Sequence, residues 1–114
     1  LFFYFYTMII SIYTTWPNKE TCKQAVQILL KEKLIACANL ISCNSIYTWK
    51  GAMEEKQEVI AWLKTNKHQW DSLKAKIIEI HPYDTPCVIK FEVEANEEYS
   101  KWILQNTSVD HNGN

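Results

Sequence analysis

The residues best suited to chemistry are concentrated in one short segment, EIHPYDTP at residues 79–86. It places an imidazole (His81) directly before one proline, and a phenol (Tyr83) and a carboxylate (Asp84) between that proline and a second one. An imidazole held by the proline that follows it is a preorganised ligand for copper or zinc. The phenol and the carboxylate can donate to and accept from a ligand in a cleft. Because Asp bonds backbone amides and proline fixes φ, the same residues also suit a rigid turn. Both interpretations of this segment, a ligand site and a rigid turn, therefore remain open.

Two cysteines could join His81 in a metal site, since thiolate and imidazole together favour Cu(I) or zinc. Cys87 follows the second proline directly, and Cys37 lies in the run LIACANL at residues 34–40. Strand alternation predicts that Cys37 shares a face with Ile35, so a small core residue is the alternative for this thiol. The four cysteines form no CxxC pair, which favours reduced thiols in the cytoplasm over a zinc ribbon or a secreted disulfide framework.

Two further groups lie on a segment predicted to form a long hairpin. Tyr47 and Trp49, near its tip, resemble a ligand-stacking pair, and Trp49 would line a ligand cleft with Tyr83 and Asp84. The alternative for the pair is aromatic packing at a subunit contact. In MEEKQE, at residues 53–58, glutamates are interspersed with a lysine. That pattern is typical of a solvated strand face and not of paired catalytic carboxylates.

The periodicity of the apolar residues predicts the elements that position these groups. Runs without a helical period predict strands at residues 8–15, 34–49, 53–65 and 87–93, with a hairpin turn at Lys50-Gly51. Helical spacing predicts one helix from the cap Asn18 to about Lys33, a second over residues 67–80, and a third from Asn96 onward. A residue before proline disfavours helical backbone, so the second helix is predicted to end at His81-Pro82.

This β-α-β-β-α-β order with a terminal helix predicts an α+β fold of the ferredoxin-like, split βαβ type. Both main helices would cover one face of an antiparallel sheet. The second and third strands would form a long arm, and such a ribbon is marginal alone and exposes edges that invite pairing. We therefore expect a homo-oligomer held by strand edges.

Length and composition exclude several classes of protein. With 114 residues the chain suits one domain, predicted at residues 8–106, with an N-terminal extension at 1–7 and a polar tail at 107–114. A net charge of -1 without a single arginine argues against nucleic-acid binding, and the apolar opening is too short to span a membrane. Two glycines cannot build a phosphate loop, and neither HExxH nor a nucleophile elbow is present, so no enzyme is predicted.

Several motifs, in order and correctly spaced, resemble the CutA divalent-cation tolerance family. They are KLIACANL (33–40), IYTWKG (46–51), the glutamates at 54 and 55, LKT (63–65), HPYDTP (81–86) and YSKWI (99–103). The resemblance covers roughly residues 8–106. It implies a small ferredoxin-like homotrimer, similar in architecture to the PII signalling proteins and without an established catalytic activity.

The resemblance also implies a function. Bacterial members are linked to copper tolerance, and animal members to the assembly or membrane anchoring of acetylcholinesterase. The copper site attributed to bacterial members falls on Thr14, Ile80 and His81, of which only His81 can bind a metal. The expected function is therefore divalent-metal, chiefly copper, tolerance, with a metal ion or small ligand bound in clefts between subunits. The alternatives are a PII-like signalling module or a non-catalytic scaffold that stabilises a partner protein.

Overall fold

The secondary structure follows the predicted order over residues 8–107, which the computed structural model describes. The elements are β1 (Ile9–Trp16), α1 (Lys19–Lys31), β2 (Cys37–Trp49), β3 (Ala52–Asn66), a 3₁₀ turn (Lys67–Gln69), α2 (Trp70–Ile80), β4 (Val88–Val93) and α3 (Glu97–Thr107). The strands form one antiparallel sheet in the order β2-β3-β1-β4, which confirms the α+β prediction. The predicted extension at 1–7 and the tail residues 108–114 lie outside the described residues.

Helix α1 begins at the predicted cap and ends slightly earlier than predicted. The side-chain oxygen of Asn18 accepts a hydrogen bond from the N–H of Thr21 at 2.8 Å. At the other end, Lys33 has a φ of 60° and the N–H of Leu34 donates to the carbonyl of Leu29 at 3.0 Å. This left-handed ending satisfies a terminal carbonyl and stops the helix before residue 33.

Helix α2 ends at the HPYD turn, residues 81–84. Its residues Leu73 and Ile77 are fully buried in the core shared with α1, as the helical spacing of the apolar residues in this segment predicts. His81, which precedes a proline, has extended backbone (φ -74°, ψ 137°), and the helix therefore stops at Ile80.

The two faces of the sheet differ in what covers them. Alternate residues of β1 and β3 form the main core with α1 and α2, among them Ile10, Ile12, Ala61 and Leu63. We call the opposite side the open face; its apolar residues are Tyr13, Ile41, Ile60, Trp62, Ile89 and Phe91. Trp62 lies at the centre, with ring centroids 5.7 Å from Tyr13 and 6.4 Å from Phe91. Helix α3 covers only one end of the sheet on this side, where Ile103 packs with Ile9.

The predicted arm is a regular two-stranded ribbon. Strand β2 pairs with β3 along its whole length, from Cys37 opposite Lys64 to Trp49 opposite Ala52. Lys50 and Gly51 both have positive φ (51° and 83°), the backbone of a two-residue hairpin whose twist matches its strands. The arm accounts for the longest dimension of the molecule, 51 Å.

The C-terminal helix is fixed at its last described residue. Thr107, which we predicted to begin the tail, is fully buried: Asn66 donates to its hydroxyl and Gln69 to its carbonyl, both at 2.7 Å. Thr107 thus belongs to the folded domain. Neither α3 nor any other helix within residues 8–107 is long and apolar enough to cross a membrane.

Candidate functional site

His81 is held by three contacts at the end of α2. Its Nε2 lies 2.7 Å from the carbonyl oxygen of Thr15, and its Nδ1 accepts from the N–H of Tyr83 at 3.1 Å. A carbonyl can only accept and an amide N–H only donate, so the imidazole is neutral with its proton on Nε2. The ring also stacks on the buried Trp16, with centroids 4.1 Å apart. Burial lowers the pKa of His81 below its usual value and so favours the neutral form, although the Thr15 carbonyl and the Glu58 carboxylate act in the opposite direction.

The structure does not assemble the predicted metal ligands. The Cys37 thiol lies 3.1 Å from the hydroxyl of Tyr99 on α3. Cys37 pairs with Lys64 of β3, whereas Thr15, which contacts His81, pairs with Ile60, four positions away along the same strand. At the usual strand rise this separates Cys37 from the His81 end of the sheet by about 13 Å. Within residues 8–107 no group of three His, Cys, Asp or Glu side chains is close enough to hold a metal ion. Within one chain the structure therefore does not bring Cys37 to His81.

Cys37 also lies on a different face than we predicted. Strand β2 begins at Cys37, so the chain before it does not alternate as a strand does. Ile35 is buried in the main core, while Cys37 contacts α3 on the other side of the sheet. The contact with the Cys37 thiol is the largest influence that raises the pKa of Tyr99, to about 12.

Tyr83 connects the HPYD turn to the arm. Its hydroxyl donates to Oε2 of Glu58 at 2.6 Å, and its ring lies 4.7 Å from the imidazole of His81. Burial, followed by the interaction with Glu58, raises the pKa of Tyr83 well above its usual value, so the phenol stays protonated. We predicted that Glu58 would be a solvated surface residue; it is instead only 9% exposed. The turn and β3 are thus joined by a hydrogen bond to a charged group.

A cavity of about 600 Å³ lies between the turn and the arm. It brings together the three residues predicted for a ligand cleft, Trp49, Tyr83 and Asp84, and also contains Cys87 from the predicted metal set. The other lining residues are Thr15, Tyr47, Glu54, Lys56, Glu58, Pro82 and Thr85. Three aromatic side chains and several charged groups converge here, which suits binding by stacking, hydrogen bonding and charge.

The Tyr83 hydroxyl offers a direct test of how this cleft is held. We expect Tyr83→Phe to lower the free energy of unfolding at pH 7 by about 1–3 kcal/mol, because the buried carboxylate of Glu58 loses its donor. Tyr47→Phe removes an exposed phenol of the same cleft and should change stability by less than about 0.5 kcal/mol. Urea unfolding at fixed protein concentration measures both, and equal effects would show that the Tyr83–Glu58 bond contributes nothing.

The same bond predicts how stability changes at alkaline pH. In the unfolded chain Tyr83 loses its proton near pH 10.0, whereas in the folded protein its pKa is higher. Above pH 10.0 the unfolded state therefore binds fewer protons, and stability falls as the pH rises. We expect this fall to be shallower in Tyr83→Phe than in the wild type; parallel curves from pH 8 to 11 would contradict the assignment.

Comparison with known proteins identifies the family. The profile described as "CutA1 divalent ion tolerance protein" matches residues 10–106. The chain belongs to the CutA family. It is 47% identical over 100 residues to the divalent-cation tolerance protein CutA of Pyrococcus horikoshii, covering 87% of this chain and 98% of that protein. It is 36% identical over 104 residues to the mouse protein CutA, of which it covers 59%.

Solved CutA structures have the same fold. CutA1 from Pyrococcus horikoshii superposes with a TM-score of 0.85 at 46% identity, covering 88% of this chain and 99% of that one. CutA1 from Oryza sativa superposes with a TM-score of 0.88 at 30% identity, covering 93% and 99%. The fold and the family predicted from the motifs are thereby confirmed.

The two positions that accompany His81 in the bacterial CutA pattern are part of the core here. Thr14 is fully buried, and its hydroxyl makes no hydrogen bond with any described residue. Ile80 packs against the main core. Neither residue can act as a metal ligand, so this chain lacks two of the three groups that the resemblance implies.

Three charged residues of the cleft, Glu54, Lys56 and Glu58, were not predicted as site residues, because all three belong to the run MEEKQE. Glu58 reads as the last charge of a solvated run, and Lys56 as one lysine of that run. The signal that could have identified Glu58 is its position, since it directly precedes the apolar stretch VIAWL at residues 59–63, where the ribbon enters the sheet. Of the charged residues in the run, the one at that boundary lies nearest the core and is therefore the one expected to be buried.

Proposed function

We propose that this CutA protein acts in divalent-cation tolerance, including tolerance of copper, as a non-catalytic binding module. It would take up a small ligand in the cavity between the HPYD turn and the arm, which we call the HPYD cleft. The observation that carries the proposal is the cavity of about 600 Å³, in which Trp49, Tyr83 and Asp84 converge. Such a concave site, with aromatic walls and a few convergent polar groups, is the usual form of a small-molecule site. We expect the protein to act in the cytoplasm, since its four cysteines are all free.

We also propose that the protein is a homotrimer. Support comes from the open face, where Ile41, Ile89 and Phe91 are each 45–47% exposed and Trp62 is 36% exposed. Contiguous apolar patches of this kind mark interaction surfaces. Strands β2 and β4 each leave one edge unpaired within the described residues, which is the state expected of strands that pair across subunits.

The clefts would then lie between subunits. Alternation along β3 places Glu54, Lys56 and Glu58 on the same side as Trp62. A neighbour packed on the open face would therefore border the cleft, and its own side chains would complete the wall.

The contacts of His81 favour a small molecule over a metal ion as the occupant. A metal bound to His81 would have to replace either the bond to Thr15 or the bond to Tyr83. It would also have to disturb the ring stacked on Trp16. Since tight sites need three or four ligands, a copper ion at this point gains too few new bonds to offset those losses.

A thermal-shift screen tests the proposal. A panel of small metabolites, with Cu(II) and Zn(II) as separate arms, is applied to the wild type, to Trp49→Ala and to Trp102→Ala. Trp102 is an exposed tryptophan of α3 outside the cleft lining and serves as the matched control. We expect at least one metabolite to raise Tm in the wild type and in Trp102→Ala but not in Trp49→Ala. A panel in which no compound separates the two variants would contradict the proposal.

A further inference from the structure

The walls of the HPYD cleft carry more negative than positive charge. Glu54, Glu58 and Asp84 contribute three carboxylates, whereas Lys56 contributes the one ammonium among the described lining residues. None of these carboxylates forms an ion pair within 4.0 Å of a lysine in the described part of the chain. The described lining therefore carries three carboxylates against one ammonium, a formal charge of -2, and no ion pair neutralises any of the three carboxylates.

The most buried of these carboxylates, Glu58, lies where its charge would interact strongly with a ligand. Glu58 is 9% exposed, and its Oε2 accepts the Tyr83 hydroxyl while no hydrogen bond to Oε1 is found among residues 8–107. Charges interact more strongly where water is excluded, because the effective dielectric constant is lower. A cation entering the cleft would meet an oxygen still able to accept a hydrogen bond.

The aromatic side chains that line the cleft also favour a positively charged ligand. Tyr47, Trp49 and Tyr83 line the cavity, and aromatic faces attract cations through their negative electrostatic potential. The Tyr83 hydroxyl is engaged by Glu58, which fixes the orientation of its ring. An ordered ring of this kind can bind a cation without the cost of ordering it first.

One ammonium of the chain already occupies such a position. The Nζ atom of Lys56 lies 4.4 Å from the centroid of the Tyr83 ring. Lys56 is exposed and flexible at its end, so its ammonium can be displaced by a ligand or share the cleft with it. The position of Nζ shows where a primary ammonium fits among these side chains.

We infer that the ligand of the HPYD cleft is a small organic cation, an alkyl monoamine or diamine. The inference rests on the proposed function, because it names the class of ligand for the same cleft. An ammonium of the ligand lies against the aromatic faces and hydrogen-bonds one or two of the lining carboxylates, Glu54, Glu58 and Asp84, and the second ammonium of a diamine can reach another. An anion would meet three carboxylates with a single lysine to offset them, and a bare metal ion would lack a group of three ligands within the described residues.

A series of compounds with one carbon skeleton and different charge tests this inference. The full-length protein is titrated calorimetrically with 1,4-diaminobutane, butylamine, 1,4-butanediol and succinate, at constant ionic strength and pH 7.5. The variants are the double substitution Glu54→Gln/Asp84→Asn and the control Glu94→Gln. Glu94 is an exposed carboxylate just after Val93, which pairs with Ile9 at the opposite end of β1 from Thr15.

We expect 1,4-diaminobutane to bind at least tenfold more tightly than 1,4-butanediol. This preference should fall at least tenfold in Glu54→Gln/Asp84→Asn, remain in Glu94→Gln and weaken as salt is added. Equal or tighter binding of the diol or of succinate would overturn the cation class. If the diol or succinate binds the wild type but not Trp49→Ala, the cleft is still the ligand site, although its ligand is not a cation. Absence of binding by both amines overturns the inference as well, while the metabolite screen decides the proposed function separately.

Discussion

His81→Ala is expected to lower the free energy of unfolding by about 2–4 kcal/mol, because one substitution removes two hydrogen bonds and a buried aromatic stack. The imidazole joins its own turn to the distant strand β1: it accepts from the Tyr83 amide, donates to the Thr15 carbonyl and stacks on the Trp16 ring. An alanine leaves a cavity against Trp16 and an amide without its acceptor. Chemical unfolding of the two proteins at equal concentration measures the difference.

His68→Ala is the matched control, since His68 is an exposed histidine of the 3₁₀ turn. We expect its effect to lie within about 0.5 kcal/mol. Equal stabilities for His81→Ala and His68→Ala would show that the HPYD turn does not depend on the imidazole.

His81 also gives stability a pH dependence with a definite sign. The pKa of His81 is lowered from 6.5 in the folded protein, so below pH 6.5 the unfolded state binds more protons. Its contribution is therefore fully present above pH 6.5 and is lost as the pH falls. In His81→Gln we expect the loss of stability between pH 7.5 and pH 5 to be smaller than in the wild type. An unchanged loss would assign the acid sensitivity to other groups.

Trp62→Asp is expected to convert the proposed trimer into monomers. Trp62 lies at the centre of the open face, so a carboxylate there would be buried without a partner when subunits pack together. Within one subunit the position is 36% exposed, which allows the aspartate to remain hydrated in a folded monomer. Sedimentation velocity measures the assembly, and circular dichroism measures whether the fold is kept.

The control for this substitution is Ile78→Asp. Ile78 is 53% exposed on α2, on the helical side of the sheet, and we expect its aspartate variant to remain trimeric. A trimer in Trp62→Asp, or a monomer in the wild type, would contradict assembly through the open face.

The sequence was sufficient for the fold because its local signals agree. Asn18 caps a helix, the proline after His81 stops one, and Lys50-Gly51 turns a hairpin, each for a reason that involves only its neighbours. The start of the second strand, in contrast, was decided by longer-range contacts. The strand predicted from Leu34 begins at Cys37, because Leu34 and Ile35 both pack into the core shared with α1 instead of alternating between the two faces of the sheet.

The candidate site was only partly predictable. The HPYD residues and Trp49 were identified from their types, and the structure brings Trp49, Tyr83 and Asp84 into one cavity. What the sequence could not supply was the partner of each group. The hydrogen bond from Tyr83 to Glu58 joins residues 25 positions apart, and that from His81 to Thr15 joins residues 66 positions apart. Without those pairings, a structural imidazole and a metal ligand look alike.

Calorimetric titration with Cu(I), Cu(II) and Zn(II), on the reduced wild type and on His81→Gln, tests most directly whether His81 builds the cleft or binds a metal. We expect the two proteins to give the same isotherms, without any His81-dependent site tighter than about 1 μM, or about -8 kcal/mol. Saturable binding tighter than this in the wild type that disappears in His81→Gln would contradict the structural role and make the HPYD turn a metal site.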